Sequence, residues 1–159
     1  MAVAAGRNLL AGGIDEVTAV VRPDSPEPAA SLEAAGFTVT TCPRAEEGMG
    51  ASLAWGVAQA PADGYLIALG DMPWIRPETI AAVAQALREG APLVRPCHQG
   101  RPGHPVGFGA GFRPQLLACG GDRGARHLLV EHGHWLQALD VPDPGVVTDV
   151  DRPGDLPVA

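Results

Sequence analysis

Short strand-like segments and helical segments alternate along nearly the whole sequence, and this alternation limits the chain to few architectures. Glycine and proline separate most of the segments, as they commonly do where helices end and turns begin. Strands that alternate with helices are typical of a sheet covered by helices on both faces. We therefore predict a single three-layer α/β domain over residues 1–159, with a mostly parallel sheet.

Hydrophobic periodicity and turn residues locate the individual elements. The clearest helix carries Ile80, Val83 and Leu87 on one face, and proline suits its first turn. The predicted helices span residues 4–11, 27–35, 51–59, 77–89 and 126–131. The predicted strands span residues 17–21, 37–41, 65–69, 93–95, 106–108, 135–141 and 146–150.

Composition excludes several classes of function. The net charge of −7 argues against a general nucleic-acid-binding protein, which would present a basic surface. All 11 basic residues are arginines, so no mechanism in this chain can use a lysine ammonium. No apolar run approaches the roughly 20 residues that span a bilayer, so we expect no membrane partner. The cysteines are widely spaced and the first residues do not resemble a secretory signal, which favours reduced thiols and a cytoplasmic location.

The apolar strand predicted at 65–69 stops at Gly70, and the next residue is the carboxylate Asp71. In open α/β sheets, ligands bind just beyond the carboxyl ends of strands. A short acid at that point can hold a divalent cation and, through it, a phosphate. Pro73 restricts the backbone that follows. The alternative is an ordinary turn carboxylate, but the position at the strand end favours a functional Asp71.

A second candidate is the glycine-rich turn from Gly48 to Ser52, which opens the helix predicted at 51–59. Such a turn offers backbone N–H groups and the positive end of the helix dipole to an anion. Ser52 could add a hydroxyl to this cradle. The alternative is a flexible helix start in which Ser52 is an ordinary cap, and a short glycine motif does not decide between the two.

The loop at 100–105 displays one cation, Arg101, and one imidazole, His104, between glycines and prolines. Loops of this kind often present polar side chains to a ligand, although a tight hairpin loop with a solvated histidine fits equally well. Cys97, His98 and His104 match no zinc-ligand spacing, so we do not predict a zinc site there.

Arg123 and Arg126 are three residues apart at the start of the helix predicted at 126–131. On one helix face they could grip a phosphate or a carboxylate. The alternative is that Asp122 caps the helix and both arginines are solvated.

Asp149 and Asp151 lie at the end of the last predicted strand, where alternation would send both to the same face. If that face meets Asp71, the three acids form a divalent-cation site, because carboxylates so close together need a cation or one raised pKa. The alternative is a pair of solvated acids where the strand ends.

Taken in this order, the motifs resemble those of the molybdenum cofactor cytidylyltransferases, a group of MobA-like nucleotidyltransferases. The motifs are Gly-Met-Gly-Ala-Ser-Leu at 48–53, Gly-Asp-Met-Pro at 70–73, Gly-His-Pro-Val at 103–106, Gly-Asp-Arg-Gly-Ala-Arg at 121–126 and Asp-Val-Asp-Arg-Pro at 149–153. The resemblance implies a Rossmann-like nucleotide-diphospho-sugar transferase fold. It also implies Mg²⁺-dependent transfer of CMP from CTP to the molybdopterin cofactor, with release of pyrophosphate.

The resemblance also implies roles for particular residues. Asp71 would be the catalytic residue and a Mg²⁺ ligand, and Asp149 or Asp151 would complete the metal site. The nucleotide would be contacted by Gly48, Gly50, Ser52 and Gly70. The pterin substrate would be contacted by Arg101, His104, Arg123 and Arg126. A molybdoenzyme of the xanthine dehydrogenase type would be the protein partner.

One element of the resemblance is missing from the sequence. The family begins with a strand and a glycine-rich loop that ends in arginine and lysine and wraps the triphosphate, and no segment here matches it. We therefore expect a domain shortened at its N-terminus relative to the family, a sheet without its first strand, and weak CTP binding. Two other functions stay open. One is a non-catalytic relative that binds the pterin cofactor or a molybdoenzyme, and the other is a related nucleotidyltransferase that uses GTP or a sugar phosphate.

Overall fold

The structure is a computed structural model that describes residues 1–24 and 26–150. Its helices are α1 (Ala2–Ala11), α2 (Pro26–Ala34), α3 (Met49–Gln59), α4 (Pro77–Arg88), α5 (Arg113–Leu117) and α6 (Arg126–Glu131). Its strands are β1 (Thr18–Val21), β2 (Thr38–Thr41), β3 (Gly64–Ile67), β4 (Leu93–His98), β5 (Arg101–Pro102), β6 (Val106–Gly109) and β7 (Leu136–Asp140). Short 3-10 helices lie at Ala45–Glu47, Ala110–Phe112, Gly133–Trp135 and Pro144–Val147. The predicted α/β class is confirmed, and none of the described helices is both long and apolar enough to cross a membrane.

The described strands form two sheets. In the first, β1 pairs in parallel with β2, from Thr18 opposite Thr38 to Val21 opposite Thr41. In the second, β3, β6 and β4 are neighbours in that order, and β4 also pairs with β5 and, in parallel, with β7. β6 runs antiparallel to both β3 and β4, so the second sheet is mixed and not mostly parallel. A strand that follows β4 in the chain and runs parallel to it needs a crossover connection of about a dozen residues. The chain between β4 and β6 is too short for such a connection, so β6 runs antiparallel.

Alternating side chains give the second sheet two packed faces. On one face, Leu66 and Val94 pack with Val83 of α4. Gly107 lies under the same helix, and a Cβ there would stand 2.9 Å from Leu87 Cδ1, so glycine lets α4 approach the sheet closely. The other face is covered by α3, α5 and α6, and its core contains Val57, Tyr65, Leu93, Phe108, Leu116 and Leu128.

One buried carboxylate joins α4 to the segment after β7. Asp143 is 1% exposed and accepts hydrogen bonds from the backbone N–H of Arg76 at 2.9 Å and from Thr79 Oγ1 at 2.8 Å. It also accepts the N–H of Gly145 at 2.9 Å. The first two donors lie at the N-terminus of α4, where the helix dipole favours a negative charge. Asp143 therefore fixes segment 143–150 against the start of α4.

The strand predicted at 146–150 is wrong, because Pro144–Val147 forms a 3-10 helix. Pro144 suits the first turn of a helix, and the bond from Gly145 to Asp143 closes the turn before the apolar run begins. Strand alternation consequently gives no reason for Asp149 and Asp151 to share a face, and Asp151 lies outside the described residues. α5 and β5 were also absent from the predicted elements.

A groove of about 1170 Å³ separates the two sheets. Within residues 1–24 and 26–150, β1 pairs only with β2 and β3 pairs only with β6, so one edge of each strand has no partner. Residues of both strands line the groove. In the described residues, the single sheet expected from the sequence is thus divided into two.

Asp143→Ala is expected to lower the free energy of unfolding by roughly 2–4 kcal/mol, because the buried hydroxyl of Thr79 and the part-buried N–H of Arg76 lose a charged acceptor. Urea denaturation followed by circular dichroism measures the change. The control is Asp140→Ala, which removes an exposed carboxylate and should stay within about 0.5 kcal/mol of the parent. A loss below about 1 kcal/mol in Asp143→Ala would contradict its anchoring role.

Candidate functional site

Asp71 lies just beyond the carboxyl end of β3, as the sequence predicted. Its backbone carbonyl accepts a hydrogen bond of 2.8 Å from the N–H of Val150. Its Oδ1 is buried and has no hydrogen-bond partner among the residues that the structure describes. Burying a charged oxygen without a partner is strongly unfavourable, so such an atom usually faces a cation, a donor or an ordered water. Oδ1 of Asp71 is therefore a candidate ligand-binding atom.

The bond to Val150 brings the preceding residue, Asp149, to the same end of the sheet. Asp149 is exposed and lines a cavity of about 210 Å³ together with Arg101 and His104. Met72, the residue after Asp71, also lines this cavity. We call this region the Asp71 end of the sheet, and it collects four of the predicted site residues: Asp71, Arg101, His104 and Asp149.

Backbone contacts hold the loop that carries His104. Gly103 N–H donates to Pro96 O at 2.8 Å, and His104 N–H donates to Val146 O at 2.9 Å. Arg95 Nε donates to Gly103 O at 3.1 Å. A Cβ at Gly103 would collide with Val146 O, so only glycine allows the loop to lie this close to segment 143–150.

Burial, with a smaller contribution from the nearby guanidinium of Arg95, lowers the pKa of His104 from 6.5 to about 4. The imidazole is therefore neutral at physiological pH. A neutral histidine donates a hydrogen bond at one ring nitrogen and accepts one at the other. His104 can thus recognise a polar group, but the positive charge that an anion requires must come from other residues.

Arg95 can supply such charge, although it was not among the predicted site residues. It is half-buried on β4, and burial lowers its pKa, with Arg126 acting in the same direction. No ion pair within the described part of the chain involves either arginine. The sequence signal was a charged residue in the otherwise apolar start of β4, where charge is seldom buried without a reason.

The glycine-rich turn that begins at Gly48 packs against the turn at 120–122. Gly50 N–H donates to Gly121 O at 2.7 Å, and a Cβ at Gly48 would stand 2.8 Å from Asp122 N. Gly48 also has a φ of +118°, a conformation that favours glycine. These contacts account for the glycines, and they occupy one of the N–H groups expected to cradle an anion.

Ser52 and Gly70 lie at the groove between the sheets and do not line the cavity beside His104. The N-cap of α3 is Gly48 without any side-chain capping bond, so the alternative in which Ser52 caps the helix is wrong. The nucleotide-binding roles of Gly48, Gly50, Ser52 and Gly70 stay predictions.

Arg123 and Arg126 are exposed, and Arg126 is the first residue of α6. The N-cap of α6 is Ala125 and makes no side-chain capping bond, so the alternative in which Asp122 caps this helix is wrong. The predicted substrate-binding role of both arginines has not been tested.

Metal-binding side chains are sparse in the described residues. His98 Nδ1 lies 2.9 Å from Val141 O, and this hydrogen bond engages one ring nitrogen. No group of three or more His, Cys, Asp or Glu suited to a metal occurs in residues 1–24 and 26–150. A cation at the Asp71 end of the sheet would therefore need a ligand beyond Asp71 and Asp149.

Comparisons with known proteins place these features in context. Residues 1–135 match the family model described as the MobA-like NTP transferase domain. Among curated proteins, no sequence matches significantly.

Several solved structures share the fold. A nucleotidyl transferase from Methanothermobacter (Mth528) superposes with a TM-score of 0.81 at 23% identity, covering 98% of this chain and 76% of that one. Rv0371c from Mycobacterium tuberculosis H37Rv, solved in complex with manganese, gives 0.72 at 20% identity over 89% of this chain and 76% of its own. A CMP:2-keto-3-deoxy-manno-octonic acid synthetase complexed with CTP gives 0.71 at 15% identity, covering 95% and 82% of the two chains. At these identities the likeness establishes the fold.

His104→Gln is expected to make stability less sensitive to acid. The folded state keeps His104 neutral down to about pH 4, whereas the unfolded chain binds a proton at this residue near pH 6.5. The folded state is therefore not penalised above pH 6.5, and it loses stability relative to the unfolded chain as the pH falls towards 4. Between about pH 7 and about pH 4.5, the variant should lose roughly 1–3 kcal/mol less unfolding free energy than the parent. Denaturation at both pH values measures this difference. His127→Gln removes an exposed imidazole and should keep the parent's slope; equal slopes for all three proteins would contradict the prediction.

Proposed function

The chain belongs to the MobA-like NTP transferase family, and from this premise we propose that it transfers CMP from CTP to the molybdopterin cofactor and releases pyrophosphate. Nucleotidyl transfer is the chemistry of the family, while CTP and the pterin are the specific part of the proposal. The observation that carries it is the buried Oδ1 of Asp71, which has no partner within the described residues and lies where an α/β sheet binds ligands.

A divalent cation fits this oxygen. Mg²⁺ prefers carboxylate oxygens, and Asp71 would hold it together with Asp149 or Asp151. The backbone bond from Val150 to Asp71 supports the pairing of Asp71 with Asp149. When bound, the cation would neutralise phosphate charge. The manganese complex of the mycobacterial structural relative supports a divalent metal but not Mg²⁺ in particular.

The arginines near this region suit an anionic substrate. Arg101 shares the cavity of His104, and Arg95 holds the loop that carries this histidine. Arg123 and Arg126 lead into α6, and Arg126 acts electrostatically on Arg95. In a protein of net charge −7, these side chains are the local positive charge that two polyanionic substrates require. We propose that they contact the pterin and its phosphate.

The reaction needs little covalent chemistry from the protein. A terminal phosphate oxygen of the pterin cofactor attacks the α-phosphorus of CTP, and the bond to the bridging oxygen breaks, so that pyrophosphate leaves. The protein's own groups would align these atoms and hold the phosphates in a positive environment. Neutral His104 would orient a substrate group by hydrogen bonding, since it carries no charge at physiological pH. We propose that the reaction takes place in the cytoplasm and serves a molybdoenzyme of the xanthine dehydrogenase type.

Asp71→Asn tests the cation site directly. Mn²⁺ is titrated into the parent protein and the variant, and free Mn²⁺ is followed by electron paramagnetic resonance. We expect Mn²⁺ affinity to fall at least about ten-fold, because the amide lacks the negative charge that attracts the cation. Asp140→Asn changes an exposed carboxylate on β7 and should bind Mn²⁺ like the parent. Unchanged affinity in Asp71→Asn would contradict the metal assignment.

The nucleotide and the pterin are tested by substrate titrations followed by NMR and by pyrophosphate release. With Mg²⁺ present, we expect the 159-residue protein to bind CTP at about millimolar Kd, because none of its segments matches the loop with which the family wraps the triphosphate. Pyrophosphate release with the pterin cofactor should fall at least about 100-fold in Asp71→Asn. Preference for GTP would favour the related transferase, and pterin binding without nucleotide binding would favour the non-catalytic relative.

A further inference from the structure

The groove between the two sheets is bordered by two strands with the composition of inner strands. β1 reads Thr-Ala-Val-Val and β3 reads Gly-Tyr-Leu-Ile. Neither contains a charged residue or a proline, the residues with which natural proteins commonly protect an exposed strand edge. Yet each pairs on one side only within the described residues, and residues of both line the groove. In the described part of the chain, the groove is therefore bordered by two unpaired strand edges, each with a row of backbone N–H and C=O groups.

Helices cover this space on both sides. From α1, Ala2, Ala5 and Leu9 line it. From α3, Leu53 and Gly56 line it, and a Cβ at Gly56 would stand 2.6 Å from Val20 Cγ2, so α3 lies close against β1. The groove thus occupies the middle layer of the three-layer fold, in line with the strands and between the helices.

The groove is large and mainly apolar. Protein interiors are packed with few voids larger than a water molecule, whereas this groove measures about 1170 Å³. Most of its lining is apolar and includes aliphatic side chains such as Val20, Leu32 and Leu66. Charged residues line its margins: Asp15 and Glu16 before β1, Arg22 after β1, Asp63 before β3 and Arg88 at the end of α4.

We infer that this groove binds an extended, uncharged, apolar polypeptide segment, which pairs with β1 on one side and β3 on the other and joins the two sheets into one. Only a backbone in extended conformation offers donors and acceptors on both sides at once, which two facing edges require. A small apolar ligand would fill the volume but leave the edges unpaired. A second copy fits poorly, because its own free edges lie under the same helices.

The test uses a synthetic peptide of about six Val, Ile and Leu residues, preceded by lysines that keep it soluble and complement the acids beside β1 and β3. The readout is amide hydrogen exchange of the 159-residue protein with and without the peptide. We expect exchange to slow at least about ten-fold in both 18–21 and 64–67, because newly paired amides are protected. A peptide with proline at alternate positions lacks the donors for one edge and should give no such protection.

Two variants of one helix separate groove binding from surface binding. Ala5 of α1 is buried and lines the groove, whereas Ala4 is exposed and does not. Ala5→Glu should weaken peptide binding at least about ten-fold by burying a charge against apolar residues, and Ala4→Glu should leave it unchanged. Equal binding by the two variants would overturn the proposal.

A tethered peptide covers the case of weak binding. Fusing the same segment before Met1 through a flexible linker raises its local concentration to about the millimolar range. We expect the fusion to protect both strands and to raise the unfolding temperature, whereas the proline version should do neither. Absence of protection in the fusion would overturn the proposal, as would protection of only one strand.

Light scattering of the unmodified protein tests whether a second copy fills the groove. If the protein is a dimer and both strands are already protected from exchange, the groove is assigned to a second copy and the proposal is overturned.

Discussion

The buried carboxylate of Asp143 is the interaction on which the arrangement of the site depends. It is separated by more than 60 residues of sequence from the helix start that it binds, and it holds segment 143–150 in place. That segment then supplies Val146 O to the loop of His104 and Val150 N–H to Asp71. Two parts of the candidate site, from different strands, are thus positioned by one segment whose own position is set elsewhere.

Direct contacts between backbone segments also hold the loops of the candidate site in place. Gly103 lies directly against Val146, and Gly48 lies directly against Asp122. Contacts of this kind leave no side chain that could rotate to absorb a displacement, so the loops they join move together or not at all. A site that works mainly by alignment and charge benefits from such rigidity, because small misplacements of reacting groups greatly reduce reaction rate.

Local patterns predicted the layered α/β class, the extent of α4 and the position of Asp71 after β3. The mixed pairing of the second sheet was not predicted, because periodicity carries no information on strand direction. The apolar residues Val146 and Val147 suggested a strand, but the hydrogen bond that Asp143 accepts from the N–H of Gly145 closes a turn, and a 3-10 helix forms instead. Arg95 and Asp143 were not predicted, because the importance of each depends on partners that only the tertiary fold brings close. Sequence therefore located the motifs, while tertiary contacts determined which of them meet.

The divided sheet has a consequence for folding cooperativity. In the described residues, β1 and β2 pair only with each other, and contacts with helices, chiefly α1 and α3, join them and α2 to the rest of the fold. Such a part of a protein can open as a unit while the remainder stays folded. Opening would uncover two uncharged strand edges, which are templates for association between molecules. The lifetime of this chain in concentrated solution would then be governed by the free energy of that partial opening, and global stability would be a poor guide to it.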